Sequence, residues 1–115
     1  MIRPGEIYIA HLGAAGPRPV VVVSREELNR GDYLVVVPCT ASGFPKRSKL
    51  THNVPFRAGR FGFTKDSVAQ CEVILSVPKV IVDLAAGPLG VLDDLTFRDV
   101  IRAVGEVIGS VCGPV

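Results

Sequence analysis

Two short runs of β-branched residues constrain this chain more than anything else in it. Val20 to Val23 is unbroken valine, and Leu34 to Val37 is its counterpart. A polar link through Asn29, Arg30 and Gly31 separates them. Runs this short, this apolar and joined through turn-forming residues predict two neighbouring buried strands. The first is entered through Arg18-Pro19, and the second is left through Pro38-Cys39-Thr40. Arg18 at the mouth of one strand and Thr40 at the exit of the next are placed to face one phosphate. A guanidinium can bridge two phosphate oxygens, and a hydroxyl can donate to a third. Both residues also have ordinary uses. Arg18 can form a surface ion pair with Glu6 or Glu72, and Thr40 can bond to the local backbone at a strand end.

The rest of the chain reads as further short strands and one terminal helix. Ile7 to Ala10 is a strand opened by the turn Arg3-Pro4-Gly5, and His11 to Pro17 is a small-residue loop. Gly43, Pro45 and the basic residues after them form a second loop. His52 to Phe56 is an edge strand marked by Pro55. Ser67 to Leu75 is read as one strand, with extended structure resuming from Val77 to Val82 past Pro78. Asp93 or Asp94 caps a helix whose apolar stripe is Phe97, Val100, Ile101, Val104, Val107 and Ile108. Many short strands and one helix imply a mainly β fold, a small, strongly bent barrel or half-barrel.

Size and charge narrow the function. At 115 residues this is a single domain, 1–115, with 48% hydrophobic residues. No apolar run approaches the ~20 residues of a membrane span. Glu6 and His11 interrupt any leader-like core, so a cytoplasmic protein is expected. Residues 1–65 hold ten Lys/Arg and four Asp/Glu, a net of +6, whereas 66–115 hold three and seven, a net of −4. The basic half peaks at Lys46, Arg47, Lys49, Arg57, Arg60 and Lys65 around His52 and suits a polyanion. The lack of Trp argues against a broad base-stacking platform. Cys39, Cys71 and Cys112 lack metal-site spacing and are expected to pack as small apolar residues. No metal or cofactor is expected.

The order of these segments resembles the MazF/PemK/Kid family of bacterial toxin endoribonucleases over nearly the whole chain. The resemblance rests on Arg3-Pro4-Gly5-Glu6-Ile7-Tyr8, on Arg18-Pro19 with its valine strand and Ser24, and on Asn29-Arg30. It continues through Val36-Val37-Pro38-Cys39-Thr40-Ala41-Ser42, through Gly62-Phe63-Thr64-Lys65-Asp66-Ser67-Val68, and through Cys71-Glu72. It implies an SH3-like small barrel of the MazF/PemK/CcdB kind, a homodimer with RNA in a groove across it. It further implies a metal-independent cut of single-stranded RNA, in which the 2′-OH attacks the adjacent phosphorus. The implied partner is an antitoxin whose acidic tail occupies the same groove.

By motif, Arg18 would stabilise the pentavalent phosphorus and serve as a candidate acid. Thr40 would bond the scissile phosphate, Ser42 would help orient it, and Glu72 is a weaker candidate base. Lys46, Arg47, Lys49, His52, Lys65 and Ser67 are the expected RNA contacts. His11 and His52 are expected to have structural or RNA-contacting roles rather than catalytic ones.

Three departures set this chain apart. The first loop is short, Gln70 stands where certain members place a catalytic Arg, and Val73 and Leu75 replace a common Gln and Arg. Two other readings remain open: a degenerate member that binds RNA or protein without cutting, and a structural SH3-like module. A gyrase-poisoning CcdB-type toxin fits poorly, because the chain ends Gly113-Pro114-Val115 with no Trp.

Overall fold

The computed structural model describes residues 1–109. Its strands are β1 (Glu6–His11), β2 (Pro17–Val22), β3 (Tyr33–Thr40), β4 (Asn53–Phe56), β5 (Ser67–Gln70), β6 (Leu75–Pro78) and β7 (Gly90–Val91). Its helices are α1 (Glu26–Asn29), α2 (Phe44–Arg47) and α3 (Asp94–Val107), with single 3-10 turns at Gly13–Ala15 and Lys79–Ile81. The strands form one antiparallel sheet in the order β4-β5-β3-β2-β1-β7, and β6 also pairs with β3.

β3 joins the two halves of this sheet. Its first half pairs with β6 from Tyr33↔Pro78 to Val36↔Leu75. Its middle pairs with β2 from Val22↔Val36 to Val20↔Pro38. Its last two residues pair with β5 as Cys39↔Ala69 and Thr40↔Val68. The ladder to β2 stops at Pro38, so the two strands part just where Arg18 and Thr40 stand.

Side chains alternate between the two faces of the sheet. Ile7, Val21, Val37 and Cys39 point to the face that α3 covers with Val100 and Ala103. Tyr8, Ala10, Val20, Val22, Leu34 and Val36 form a second core on the opposite face. Burial of the valine runs on both faces explains why they show no polar alternation. Cys39 and Cys71 are buried free thiols, as expected of small apolar packers; Cys112 lies outside the described residues.

Three expectations need correction. Ser67 to Leu75 is not one strand. β5 ends at Gln70, Val73 N donates to Gln70 O at 2.9 Å to close a turn, and β6 starts at Leu75. Extended structure does not continue through Val82 either, because Lys79–Ile81 coil into a 3-10 turn. The loop after Gly43 contains α2, with Pro45 in the first turn where its missing N–H costs nothing. The helix α3 is as expected and Asp93 caps it, but its apolar stripe is wider than its buried face. Val100 is buried, while Ile101 is 42% and Ile108 67% exposed.

The 57–63 loop and β7 interlock through two glycines. A Cβ on Gly62 would strike the Leu89 carbonyl, and one on Gly90 would strike that of Phe61. Gly62 also has φ +87°, which other residues rarely adopt.

Candidate functional site

The β2–β3 link is fastened by a buried knot. Ser24 Oγ donates to Asn29 Oδ1 at 2.5 Å and accepts from Val35 N at 3.0 Å. Asn29 Nδ2 donates to the Ser24 carbonyl at 2.8 Å and to the Ile2 carbonyl at 3.2 Å. These bonds account for the Asn29 of the link and hold β2 and β3 in register. Carried two residues past Val20↔Pro38, that register sets Arg18 opposite Thr40.

Arg18 and Thr40 line one cavity of about 400 Å³, together with Ser42, Arg47 and Gln70. Leu12, Pro38, Val73 and Leu75 supply its apolar walls. It lies at the fork where β3 leaves β2, on the sheet face away from α3. The charge within it is one-sided, with two guanidiniums and no carboxylate among the lining residues. Neither arginine is neutralised from outside. The ion pairs among the described residues join Arg3 to Glu26, Arg57 to Asp66, Arg60 to Asp93 and Arg102 to Asp99, and His52 lies against Glu72. Glu6, one possible partner of Arg18, instead accepts from Tyr8 Oη at 2.8 Å and Arg3 N at 2.9 Å. Burial, with Glu6 second, pushes the Tyr8 phenol up to about 12.

The hydroxyl of Thr40 accepts from Ser42 N at 3.2 Å. That bond uses an oxygen lone pair and leaves the Thr40 proton available to an anion in the cavity. Arg47 comes from α2, and Asn53 Nδ2 holds its carbonyl at 3.0 Å. The cavity thus combines two cations, a free hydroxyl donor and apolar walls, groups whose chemistry suits an anion beside a flat apolar ring.

The other expected residues divide. Lys65 and Ser67 line a second cavity of about 310 Å³ that shares Thr40 with the first. The Ser67 hydroxyl donates to Lys65 O at 3.0 Å. Lys46 and Lys49 are exposed on α2 and just beyond it, outside both cavities. Glu72 does not reach the first cavity. Its Oε2 lies 3.7 Å from His52 Nε2, so those two residues face each other instead. His11 is exposed at the end of β1. Gln70, Val73 and Leu75 appear in the sequence only as departures, yet all three line the cavity. The signal for Gln70 was a lone amide ending the buried run Ser67-Val68-Ala69. Among the described residues no cluster of three His, Cys, Asp or Glu could hold a metal.

Comparison with known proteins decides the family. Residues 3–108 match the profile described as "PemK-like, MazF-like toxin of type II toxin-antitoxin system". The chain belongs to this family of toxins. Two curated relatives agree. Endoribonuclease EndoA of Bacillus subtilis is 31% identical over 85 residues, covering 69% of this chain and 72% of its own. Endoribonuclease MazF of Staphylococcus epidermidis is 32% identical over 85 residues, covering 69% and 70%. Solved structures share the fold. An endoribonuclease in complex with its cognate antitoxin from a mycobacterial species has a TM-score of 0.80 at 21% identity, covering 99% of this chain and 100% of that one. The Mycobacterium tuberculosis toxin MazF-mt6 has a TM-score of 0.76 at 23% identity, covering 90% and 96%. The small barrel with a C-terminal helix is therefore the fold of this MazF-like toxin.

Proposed function

We propose that this chain is the endoribonuclease of a toxin–antitoxin pair and cuts single-stranded RNA at the Arg18–Thr40 fork. The carrying observation is the cavity that joins Arg18, Arg47 and Thr40 with no carboxylate in its lining. The 2′-oxygen attacks the adjacent phosphorus and forms a new P–O bond while the bond to the 5′-oxygen breaks. The products are a 2′,3′-cyclic phosphate and a 5′-OH. Negative charge grows on the non-bridging oxygens during this step. In this reading Arg18 bridges both of them, Arg47 adds a second cation, and Thr40 donates to one of the pair. The departing 5′-oxygen takes a proton from Arg18 or from water. The proton of the 2′-OH goes to solvent, because the lining offers it neither carboxylate nor imidazole. Lys65 and Ser67, in the second cavity, hold the strand on the far side of Thr40.

The same basic cavity suits the acidic tail of an antitoxin, which would compete with RNA for it. A second copy of the chain would cover the apolar residues that α3 leaves exposed, Leu95, Ile101 and Ile108 among them. No helix among the described residues is long and apolar enough to cross a membrane, and we place the protein in the cytoplasm. A second reading, RNA or protein binding without cutting, draws support from Val73 and Leu75 in the cavity wall.

Mapping cleavage ends on a long defined RNA in chelator separates the two readings. Cutting that leaves 2′,3′-cyclic ends and falls at least a hundredfold in Arg18→Ala and Thr40→Ala supports the nuclease, in line with the ~10²–10³ that one oxyanion donor supplies. Wild-type binding with no cutting would establish the second reading. Equal cutting by both variants would remove the site.

A further inference from the structure

We propose that Gln70 reads the base of the nucleotide held at Arg18 and Thr40. The inference rests on the nuclease reading and adds to it the determinant of sequence preference.

The cavity divides chemically. Arg18, Arg47, Thr40 and Ser42 offer cations and hydroxyls, which suit phosphate and ribose but carry no base identity. Leu12, Val73 and Leu75 offer only apolar surface. Such walls take the flat face of a base and cannot tell one base from another. Gln70 is the one neutral amide in the lining, with a donor and an acceptor on the same side chain.

Its position fits the task. The β3–β5 register, extended one residue from Cys39↔Ala69, sets Gln70 opposite Pro38. Pro38 precedes Thr40 by two residues, roughly 6.7 Å along a strand. Strand alternation turns Pro38 and Thr40 to the same face. The amide is thus displaced from the phosphate site by about the reach from a backbone phosphate to its own base. Among the described residues its neighbours are engaged elsewhere: Ser67 Oγ donates to Lys65 O and Cys71 Sγ donates to Ala69 O. The turn bond from Val73 N to Gln70 O, at 2.9 Å, uses only the Gln70 backbone and fixes where its side chain starts.

A glutamine amide pairs bidentately with adenine, accepting from N6 and donating to a ring nitrogen. Single-stranded RNA exposes these edges for such contacts. Turned over, the same amide pairs with uracil or guanine, donating to the carbonyl and accepting from the ring N–H, so the orientation in which the fold holds it decides which base edge it reads.

The test maps cleavage ends on one long RNA containing all dinucleotides, with wild type, Gln70→Ala and Gln70→Glu. Relative cutting among sites within each digest is the readout, so overall rate does not enter. Wild type should favour one base at one position beside the cut. Gln70→Ala should flatten that position by about tenfold, the lower range of one bidentate base contact. Gln70→Glu, which replaces the amide donor with a second acceptor, should change which base is favoured at that position while flanking preferences stay put. An unchanged preference at every position in both variants overturns the role of Gln70 and leaves the nuclease intact. Loss of all cutting in both folded variants also overturns it, because Gln70 would then serve the chemistry. A wild type that cuts no RNA removes the nuclease reading and this inference with it.

Discussion

Asn53 Nδ2 donates to the carbonyl of Arg47 across 3.0 Å, which ties the end of α2 to the edge strand β4. The Oδ1 of the same amide is buried and has no partner among the described residues. A lone oxygen of this kind carries a desolvation cost that persists only where the rest of the side chain offsets it. The Nδ2 bond fixes the backbone of Arg47, a residue that lines the cavity. Asn53→Ala is expected to change unfolding stability by about 1 kcal/mol or less, since one bond and one unsatisfied oxygen leave together. RNA affinity should fall about tenfold, the value of one charge-assisted contact to phosphate. Urea unfolding and RNA binding, measured on the same variant, separate the two effects.

The charged groups in the lining of the first cavity are the guanidiniums of Arg18 and Arg47. With no carboxylate or imidazole there to remove the 2′-OH proton, single-turnover cleavage should rise steadily from pH 6 to 9. Glu72→Gln and His52→Gln should cut within a few-fold of wild type. A plateau in the pH profile that one of these variants abolishes would assign the base to Glu72 or His52.

Asp93 links the helix cap to the loop that carries Arg60. Its Oδ1 accepts from Thr96 N at 2.7 Å, and its Oδ2 accepts from Arg60 Nη2 at 3.0 Å. The Thr96 bonds first, and Arg60 after them, hold its carboxyl below the ordinary carboxylate value. The unfolded chain therefore binds this proton more readily than the native one. The contribution is complete above the unfolded value of about 3.9 and is lost as pH falls through the lower native value. Asn also caps helices well. Asp93→Asn should thus flatten the acid limb of Tm against pH while lowering Tm only modestly at pH 7. An acid limb identical to wild type would refute the linkage.

The thiols of Cys39 and Cys71 should resist alkylation in the native state. Burial, with Cys71 beside it, pushes Cys39 far above its usual range, and burial together with Glu72 pushes Cys71 up to about 12. Neither presents thiolate at pH 7–8. Peptide-resolved mass spectrometry after a short iodoacetamide pulse should find both unmodified without denaturant and both modified in 6 M guanidinium. Labelling of Cys39 in the folded protein would mean that β3 opens locally.

The valine runs announce β2 and β3 because a strand buried on both faces leaves a continuous apolar signature. The terminal helix is legible from its 3.6-residue period and from Asp93 ahead of it. The pairing of Arg18 with Thr40 follows from the same runs, since the strands are neighbours and the two residues sit at matching ends. What the residues hide is local. Cys71-Glu72-Val73-Ile74 contains no Gly or Pro, so the turn between β5 and β6 looks like one continuous strand. Phe44-Pro45-Lys46-Arg47 looks like basic loop, although Pro in a first turn also marks a helix start. That helix turns Arg47 inward while Lys46, its neighbour, stays exposed. Composition groups the two, and only backbone geometry tells them apart. Glu72 shows the converse. Its motif places it one position from Cys71, and the turn carries it out to His52.

β3 spends its first six residues between β2 and β6, and its last two against β5. The stretch that specifies how the barrel assembles and the stretch that lines the cavity are therefore successive parts of one strand with different companions. A lineage can exchange residues around Thr40, Ser42 and Gln70 for new targets while the Ser24–Asn29 knot, at the far end, keeps the scaffold assembling as before.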